Sequence, residues 1–435
     1  MGSDQQGRGP DEGTLVAITE PGVRRPAPSS RYTRCVASRP VSASRIPLTL
    51  FYLGVIGLAL FEFAKVYFIM PMPGSQRLNS LDAAYLLHDW RWAFRALLVM
   101  VILGGAPAAF AVRWRWRWIP AVLLLITAVL AYETNVVMMA DQMFKQPEQL
   151  VLAPRASNKV DENSVVIGVE LNGEAKAWPI RYILYHHQVQ DTIGGKPILV
   201  TYCNVCRSGR VFEPFVGGQH ENFRLVGMDQ FNAMFEDART GSWWRQATGV
   251  AVTGPLKGTR LSEVTSSQLT LRQFFALHPN ALVMQPDPAF TASYDTEGRF
   301  ERGESRGALT RRDAGSWNEK SWVIGVEHGA ESKAYDWNGL TTRRVINDRI
   351  GDLSFVIALS DDGWGFVAFE RPTDIAAFTI EGNVLKGNGR SYDFGGNEID
   401  GMGPALTLVP ASQEFWHSWR SFHPNTLTDS SSASQ

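Results

Sequence analysis

Residues 164–179 read Ser-Val-Val-Ile-Gly-Val-Glu-Leu-Asn-Gly-Glu-Ala-Lys-Ala-Trp-Pro. Two β-rich runs flank Asn172-Gly173, a dipeptide that adopts the positive backbone angles a tight hairpin needs. Residues 321–337 repeat the pattern as Ser-Trp-Val-Ile-Gly-Val-Glu-His-Gly-Ala-Glu-Ser-Lys-Ala-Tyr-Asp-Trp. The agreement continues in order. Val-Gln-Asp-Thr-Ile-Gly-Gly at 189–195 answers Ile-Asn-Asp-Arg-Ile-Gly-Asp at 346–352, and a β-rich run follows each, at 198–202 and 353–359. Phe274 to Leu282 and Ser418 to Leu427 both carry a His-Pro-Asn turn, with His278 and His423 in matching places. Two copies in one chain predict a pseudo-twofold domain rather than a solenoid. The expectation is a mostly β domain with short helices, internally duplicated. Residues 150–285 form its first half, 286–320 a polar, Gly-rich linker, and 321–427 its second half. Further hairpins are expected about Gly217-Gly218 and Arg239-Thr240-Gly241, and short helices near Tyr182–His186, Leu271–Leu277 and Phe415–Phe422.

Ahead of this domain the composition changes. Three apolar runs, about 46–70, 93–112 and 119–140, are long enough to cross a bilayer core of about 30 Å as helices. Glu62, Lys65, Arg95 and Glu133 are the charges within them. Glu62 and Lys65 stand three apart, where helical side chains pair, and Arg95 is placed to snorkel toward the interface. Arginine placement sets the orientation. The tail holds Arg24, Arg25, Arg31, Arg34, Arg39 and Arg45 with no acid after Pro21, and the second loop reads Arg-Trp-Arg-Trp-Arg-Trp at 113–118. Both belong in the cytoplasm. The expected arrangement is a multi-pass protein of the cytoplasmic (inner) membrane, with a disordered cytoplasmic tail at 1–45. Its C-terminal domain is periplasmic or extracellular and ends in a second disordered tail at 428–435.

The 435 residues hold 42 Lys and Arg against 43 Asp and Glu. Such balance argues against nucleic acid as a partner, since phosphate binding needs clustered cations. No dinucleotide fingerprint, phosphate loop or Ser-His-Asp pattern is present, so no nucleotide cofactor is expected. Cys35, Cys203 and Cys206 are the three cysteines, too few for a disulfide-stapled scaffold.

The chemistry therefore gathers at Cys203 and Cys206, a C-x-x-C just past a predicted strand. Two thiols at this spacing can close a disulfide, cycle as a dithiol or hold a soft metal. His186 and His187 precede the hairpin leading into that strand. The repeat supplies an internal comparison: Ser360 and Gly363 stand at the places of the cysteines, and Arg343 and Arg344 at those of the histidines. Both pairs occur in one half and are missing together from the other. The leading expectation is a metal site of His186, Cys203 and Cys206, with His187 as a further ligand candidate, taking copper before zinc in metal handling or redox chemistry. The second is a thiol–disulfide redox protein using Cys203 and Cys206, and the third a scaffold module with a structural disulfide. Expected partners are the lipid bilayer and a small molecule or protein that exchanges metal or electrons. Met228 and Met234 read as core filler rather than ligands. Trp243 and Trp244 line a pocket or bury one strand face. His220 and His417 have no partner in the sequence pattern.

Residues 150–427 resemble a bacterial and archaeal family known as domain of unknown function 3179. The resemblance rests on Val-Ile-Gly-Val-Glu-Leu-Asn-Gly-Glu-Ala-Lys-Ala-Trp-Pro, Gln-Asp-Thr-Ile-Gly-Gly-Lys-Pro-Ile-Leu-Val-Thr-Tyr-Cys-Asn-Val-Cys, Arg-Thr-Gly-Ser-Trp-Trp-Arg-Gln, Gly-Pro-Leu-Lys-Gly-Thr-Arg-Leu and the terminal Phe-Trp-His-Ser-Trp-Arg-Ser-Phe-His-Pro-Asn-Thr. It implies that His186 matches the family histidine and that His187 replaces an acid. It also pairs Cys203 and Cys206 with the family's cysteines, with Asn204 where proline is usual. It implies no reaction, and the membrane region lies outside it.

Overall fold

The computed structural model describes residues 45–111, 113–401 and 403–429. Cys35 and most of the two predicted tails lie outside these. Three helical stretches, Arg45–Tyr67, Arg91–Phe110 and Trp114–Val137, are long and apolar enough to cross a membrane. Their outward faces carry exposed Leu53, Leu60, Leu103 and Leu125, as expected of helices whose surroundings are apolar. The first two pack closely because small residues face the contact. A side chain on Gly105 would lie 2.4 Å from the Pro47 carbonyl oxygen, and one on Gly54 would lie 2.8 Å from Ile102. Glu62 and Lys65 pair as their spacing predicts, at 3.1 Å. Arg95 does not snorkel. It turns inward and donates to both Glu62 oxygens from one guanidinium edge, Nε at 2.7 Å and Nη2 at 3.1 Å, because a buried carboxylate draws the nearest cations to itself.

From residue 152 onward the chain is mostly β, as predicted. The largest sheet has eight strands in the order 152–154, 282–284, 174–179, 165–171, 267–270, 366–370, 353–359 and 345–350. It spans both expected halves, joined where Gln268 pairs with Phe366. Smaller sheets hold 188–193, 196–203 and 208–212, then 223–229 with 232–237, 243–245 and 251–253, and finally 411–415 with 322–328, 331–336 and 427–428.

One run of elements occurs twice. Val165–Leu171, Glu174–Pro179, helix Ile180–His186, Gln188–Ile193 and Lys196–Cys203 form the first. Trp322–His328, Glu331–Asp336, helix Trp337–Arg343, Val345–Ile350 and Leu353–Leu359 form the second. In each, the first strand takes an antiparallel neighbour (267–270 or 411–415) that continues into a helix, Leu271–Leu277 or Trp416–Phe422. Each second strand then takes a short parallel one, 282–284 or 427–428. Even the close contacts correspond. Gly168 lies under Phe274 and Gly325 under Trp419, where an added Cβ would come within 2.3 and 2.0 Å of the rings. His187 and Arg344 end equivalent helices in the left-handed conformation, at φ 62° and 63°.

The stretch 286–320 is more than a linker. Thr291–Glu301 is a helix, and Phe290, Tyr294 and Phe300 are buried against the main core. The polar residues around these three anchors mask the pattern in the sequence. The Gly217-Gly218 hairpin is shorter than expected, Phe215–Val216 with Gln219–His220, because 223–229 pairs instead with 232–237.

The β-rich domain sits on the ends of the apolar helices. Met228 N–H donates to the Ile69 carbonyl at 2.7 Å, Phe231 N–H donates to Gln76 Oε1 at 3.1 Å, and Tyr85 meets Trp243 edge-on. Ile69, Gln76 and Tyr85 come from the segment between the first two apolar helices, and Asp141, just past the third, pairs with Arg224 of the β-rich domain at 3.4 Å.

Candidate functional site: a buried dithiol

Cys203 ends the strand Lys196–Cys203 and pairs with Ser208, so Asn204–Arg207 forms the turn to the next strand. Arg207 takes φ 56° to close it. Both cysteines are fully buried and carry free thiols. Both donate toward the Phe231 carbonyl, at 3.6 Å from Cys203 and 3.4 Å from Cys206. Ala233 N–H donates to Cys203 Sγ at 3.4 Å.

That carbonyl is aimed by a strained turn. Gln230 and Phe231 join two strands at φ 49° and 66°. Both central residues of such a turn need positive φ, a place for Asn or Gly, and a side chain there costs roughly 1–2 kcal/mol. Strain of this kind persists where the surrounding structure over-determines it and clusters at working sites. Here Gln76, from the loop between the first two apolar helices, holds Phe231 N–H.

The other side of the pair comes from the second half of the chain. Lys320 Nζ donates to the Val205 carbonyl at 2.7 Å and lies 2.9 Å from His417 Nε2, itself 3.0 Å from the same carbonyl. Phe415 N–H donates to the Cys206 carbonyl at 2.8 Å. A groove of about 560 Å³ opens beside them, lined by Gln76, Arg77, Phe231, Lys320, His417 and Arg420 among others.

These surroundings separate the two thiols. Burial opposes ionisation of Cys203, but the Cys206 thiol and the N–H groups of Ala233, Cys206 and Val205 outweigh it and hold its pKa below the ordinary value. Burial and then the neighbouring Cys203 push Cys206 well above it. Burial lowers Lys320 to about 8 against the opposing pull of the thiols. Burial, with Lys320 alongside, lowers His417 to about 4.

His186 is elsewhere. Its Nδ1 meets the Lys145 carbonyl and its Nε2 lies 2.6 Å from the Tyr294 hydroxyl, so both ring nitrogens are engaged. His187 is buried against Phe144, and its carbonyl accepts from Tyr202 N–H. Its place is that of a helix terminator, the part Arg344 plays in the other half. Among the described residues no group of three or more His, Cys, Asp and Glu side chains is placed to hold a metal ion. The structure thus brings Cys203 and Cys206 together and leaves out the expected histidine. Trp243 and Trp244 are buried, with Nε1 donating to Glu236 and Asp237.

The match to known proteins covers this site and the fold around it. Residues 145–426 fit the model of a family described as a protein of unknown function, DUF3179. The chain belongs to this family. The family match leaves out the three apolar helices and takes in both halves of the β-rich domain. No curated protein and no solved structure matches the chain.

The buried histidines make this domain acid-sensitive. Burial lowers His187 to about 4, as it does His417, while burial raises Glu301 to about 7. Between pH 5 and 6.5 the unfolded chain gains protons at two histidines that the folded chain leaves neutral. The folded chain alone keeps a proton on Glu301 that the unfolded chain has lost. The unfolded state therefore binds more protons, by a fraction of one near pH 6.5 and about one near pH 5, and stability falls on acidification with a slope that steepens to roughly 1.4 kcal/mol per pH unit near pH 5. A thermal midpoint that is level or rises over that descent would contradict this balance.

Proposed function

We propose that this protein is a membrane-anchored thiol–disulfide protein whose working group is the Cys203–Cys206 pair. The observation that carries the reading is the pair itself. Two free, buried thiols converge on one backbone carbonyl, that of Phe231, one held toward thiolate and the other toward thiol, at the C-x-x-C spacing of dithiol couples. In the oxidising direction, Cys203 thiolate attacks a sulfur of a partner disulfide and releases one partner thiolate. Cys206 then loses its proton and attacks Cys203 Sγ, which releases the second. Two electrons pass to the partner, and the pair is left as a disulfide. Lys320 lies beside the pair as a cation that favours the thiolate.

The same reading places the three apolar helices across the cytoplasmic membrane, with the tail and the Arg-Trp loop inside and the β-rich domain in the oxidising space outside. It also takes the twice-repeated run of elements as the product of internal duplication, with the dithiol kept in one copy. The metal alternative loses support because His186 is engaged by Lys145 and Tyr294.

Elemental analysis and thiol counting on the full chain, extracted in mild detergent, test the proposal. The expected result is no stoichiometric metal and two thiols that convert reversibly to one disulfide. About one copper or zinc per chain with both thiols blocked would replace the redox reading with a metal site. A disulfide with a potential below about −300 mV would make the pair a structural staple.

A further inference from the structure

Where the apolar helices meet the β-rich domain, a separate cavity of about 310 Å³ lies between the helix ends and the strand Phe223–Asp229. Its inner wall is polar. Glu62, only 1 % exposed, accepts from Lys65, Arg95 and Asn135. The Asn135 side-chain oxygen, Oδ1, in turn accepts from Lys65 and Arg95, at 2.6 Å each. Two cations thus share a single carboxylate, and one positive charge is left over in surroundings of low polarity, where it is costly. Arg91, also on the wall, adds another. Its guanidinium donates to the His88 carbonyl at 2.6 Å, and among the described residues it has no carboxylate partner. Arg224 opposite is already matched by Glu236 and Asp141.

The remaining lining is apolar, from Val66, Ile69, Met138, Met139 and Val226 among others. Trp92 lines the cavity and is 69 % exposed, so the space reaches the outer face of the helices. A fully apolar ligand would leave the excess charge unanswered. A fully hydrated anion would leave the apolar wall wet. An anionic head on an apolar body answers both.

We propose that this cavity binds the phosphate of an acidic phospholipid, with Arg91 and Arg95 as its principal donors and the acyl chains leaving past Trp92. The inference does not depend on the thiol chemistry. It does rest on the reading that the apolar helices cross a membrane, so that is measured first: the full chain must stay with membranes washed in alkaline carbonate. Release would end both ideas at the anchoring step.

The membrane-retained protein, delipidated in neutral detergent, is then titrated with phosphatidylglycerol, phosphatidylcholine or inorganic phosphate while its thermal midpoint is followed. Phosphatidylglycerol is expected to raise the midpoint in a saturable way. The Arg91→Gln variant, which folds like the parent because Arg91 holds no buried partner side chain, is expected to need about tenfold or more lipid for the same rise. An equal response to phosphatidylcholine, or an unchanged response in the variant, would overturn the proposal. A rise with inorganic phosphate equal to that with phosphatidylglycerol would assign the site to a free anion and would also overturn the lipid.

Discussion

Arg210→Leu is expected to lower the unfolding free energy by about 3–5 kcal/mol, the usual cost of removing one member of a buried ion pair. Arg210 lies on the strand Ser208–Phe212, carries 5 % side-chain exposure and donates to Glu414 at 3.1 Å. Glu414 is 1 % exposed and belongs to the strand 411–415 of the other half. Glu263, at 3.1 Å, and Glu327, at 3.8 Å, complete the ring of acids. Burial works against the arginine charge, but these carboxylates outweigh it and hold its pKa above the ordinary value. Leucine would fill much of the space and leave Glu414 buried with only Ser412 and Ser418 donating to it. The loss is therefore the uncompensated charge rather than a cavity. A second change tests that cause. Glu414→Gln alone should destabilise, yet in the Arg210→Leu background it should restore part of the midpoint. Strictly additive losses would show that Arg210 acts through packing and that the two halves are not joined by charge.

The repeat in the sequence placed the strands within 165–179, 188–203, 322–336 and 345–359, because hairpin dipeptides and alternating β-rich runs are local signals. The site was legible only in part. Cys203 and Cys206 are three residues apart on one turn, so their meeting is a local matter and could be read. His186 was expected beside them on the strength of an antiparallel hairpin. Its side chain instead follows the helix Ile180–His186 toward Tyr294, on a helix inside the stretch expected to be a linker. Lys320, at the end of the stretch expected to be a linker, and His417, in the second half, were missed because they reach the dithiol across more than a hundred residues of chain. The helices Leu271–Leu277 and Trp416–Phe422 differ at every position, so the repeat did not single out His417. Using the second half only as a comparison for the first hid the contribution of His417. The buried charge at Arg95 escaped for a similar reason: snorkelling is a rule for single arginines at helix ends, and Glu62 on a neighbouring helix overrides it.

The two cysteines are expected to behave unequally toward an aromatic disulfide probe. Cys206→Ser should leave a nucleophile with nothing to resolve it, so a mixed disulfide on Cys203 accumulates and persists. Cys203→Ser should react at least about tenfold more slowly at neutral pH, since each unit of pKa separating the two thiols is a factor of ten in thiolate. The asymmetry comes from the geometry. Ala233 N–H points at Cys203 and not at Cys206, and Cys206 is opposed by burial even when its neighbour is gone. Both thiols lie under the Gln230–Phe231 turn, so reaction in the native state also requires that turn to lift. Gln76→Ala, which releases Phe231 N–H, should therefore speed the modification of Cys203 in the Cys206→Ser variant without altering its pH profile. If instead both single cysteine variants react at one rate, and only as fast as the protein unfolds, the pair is a packing element of the core and the redox proposal fails. If Cys206 proves the faster, the couple still stands, but Lys320 and His417 rather than Ala233 would be selecting the nucleophile.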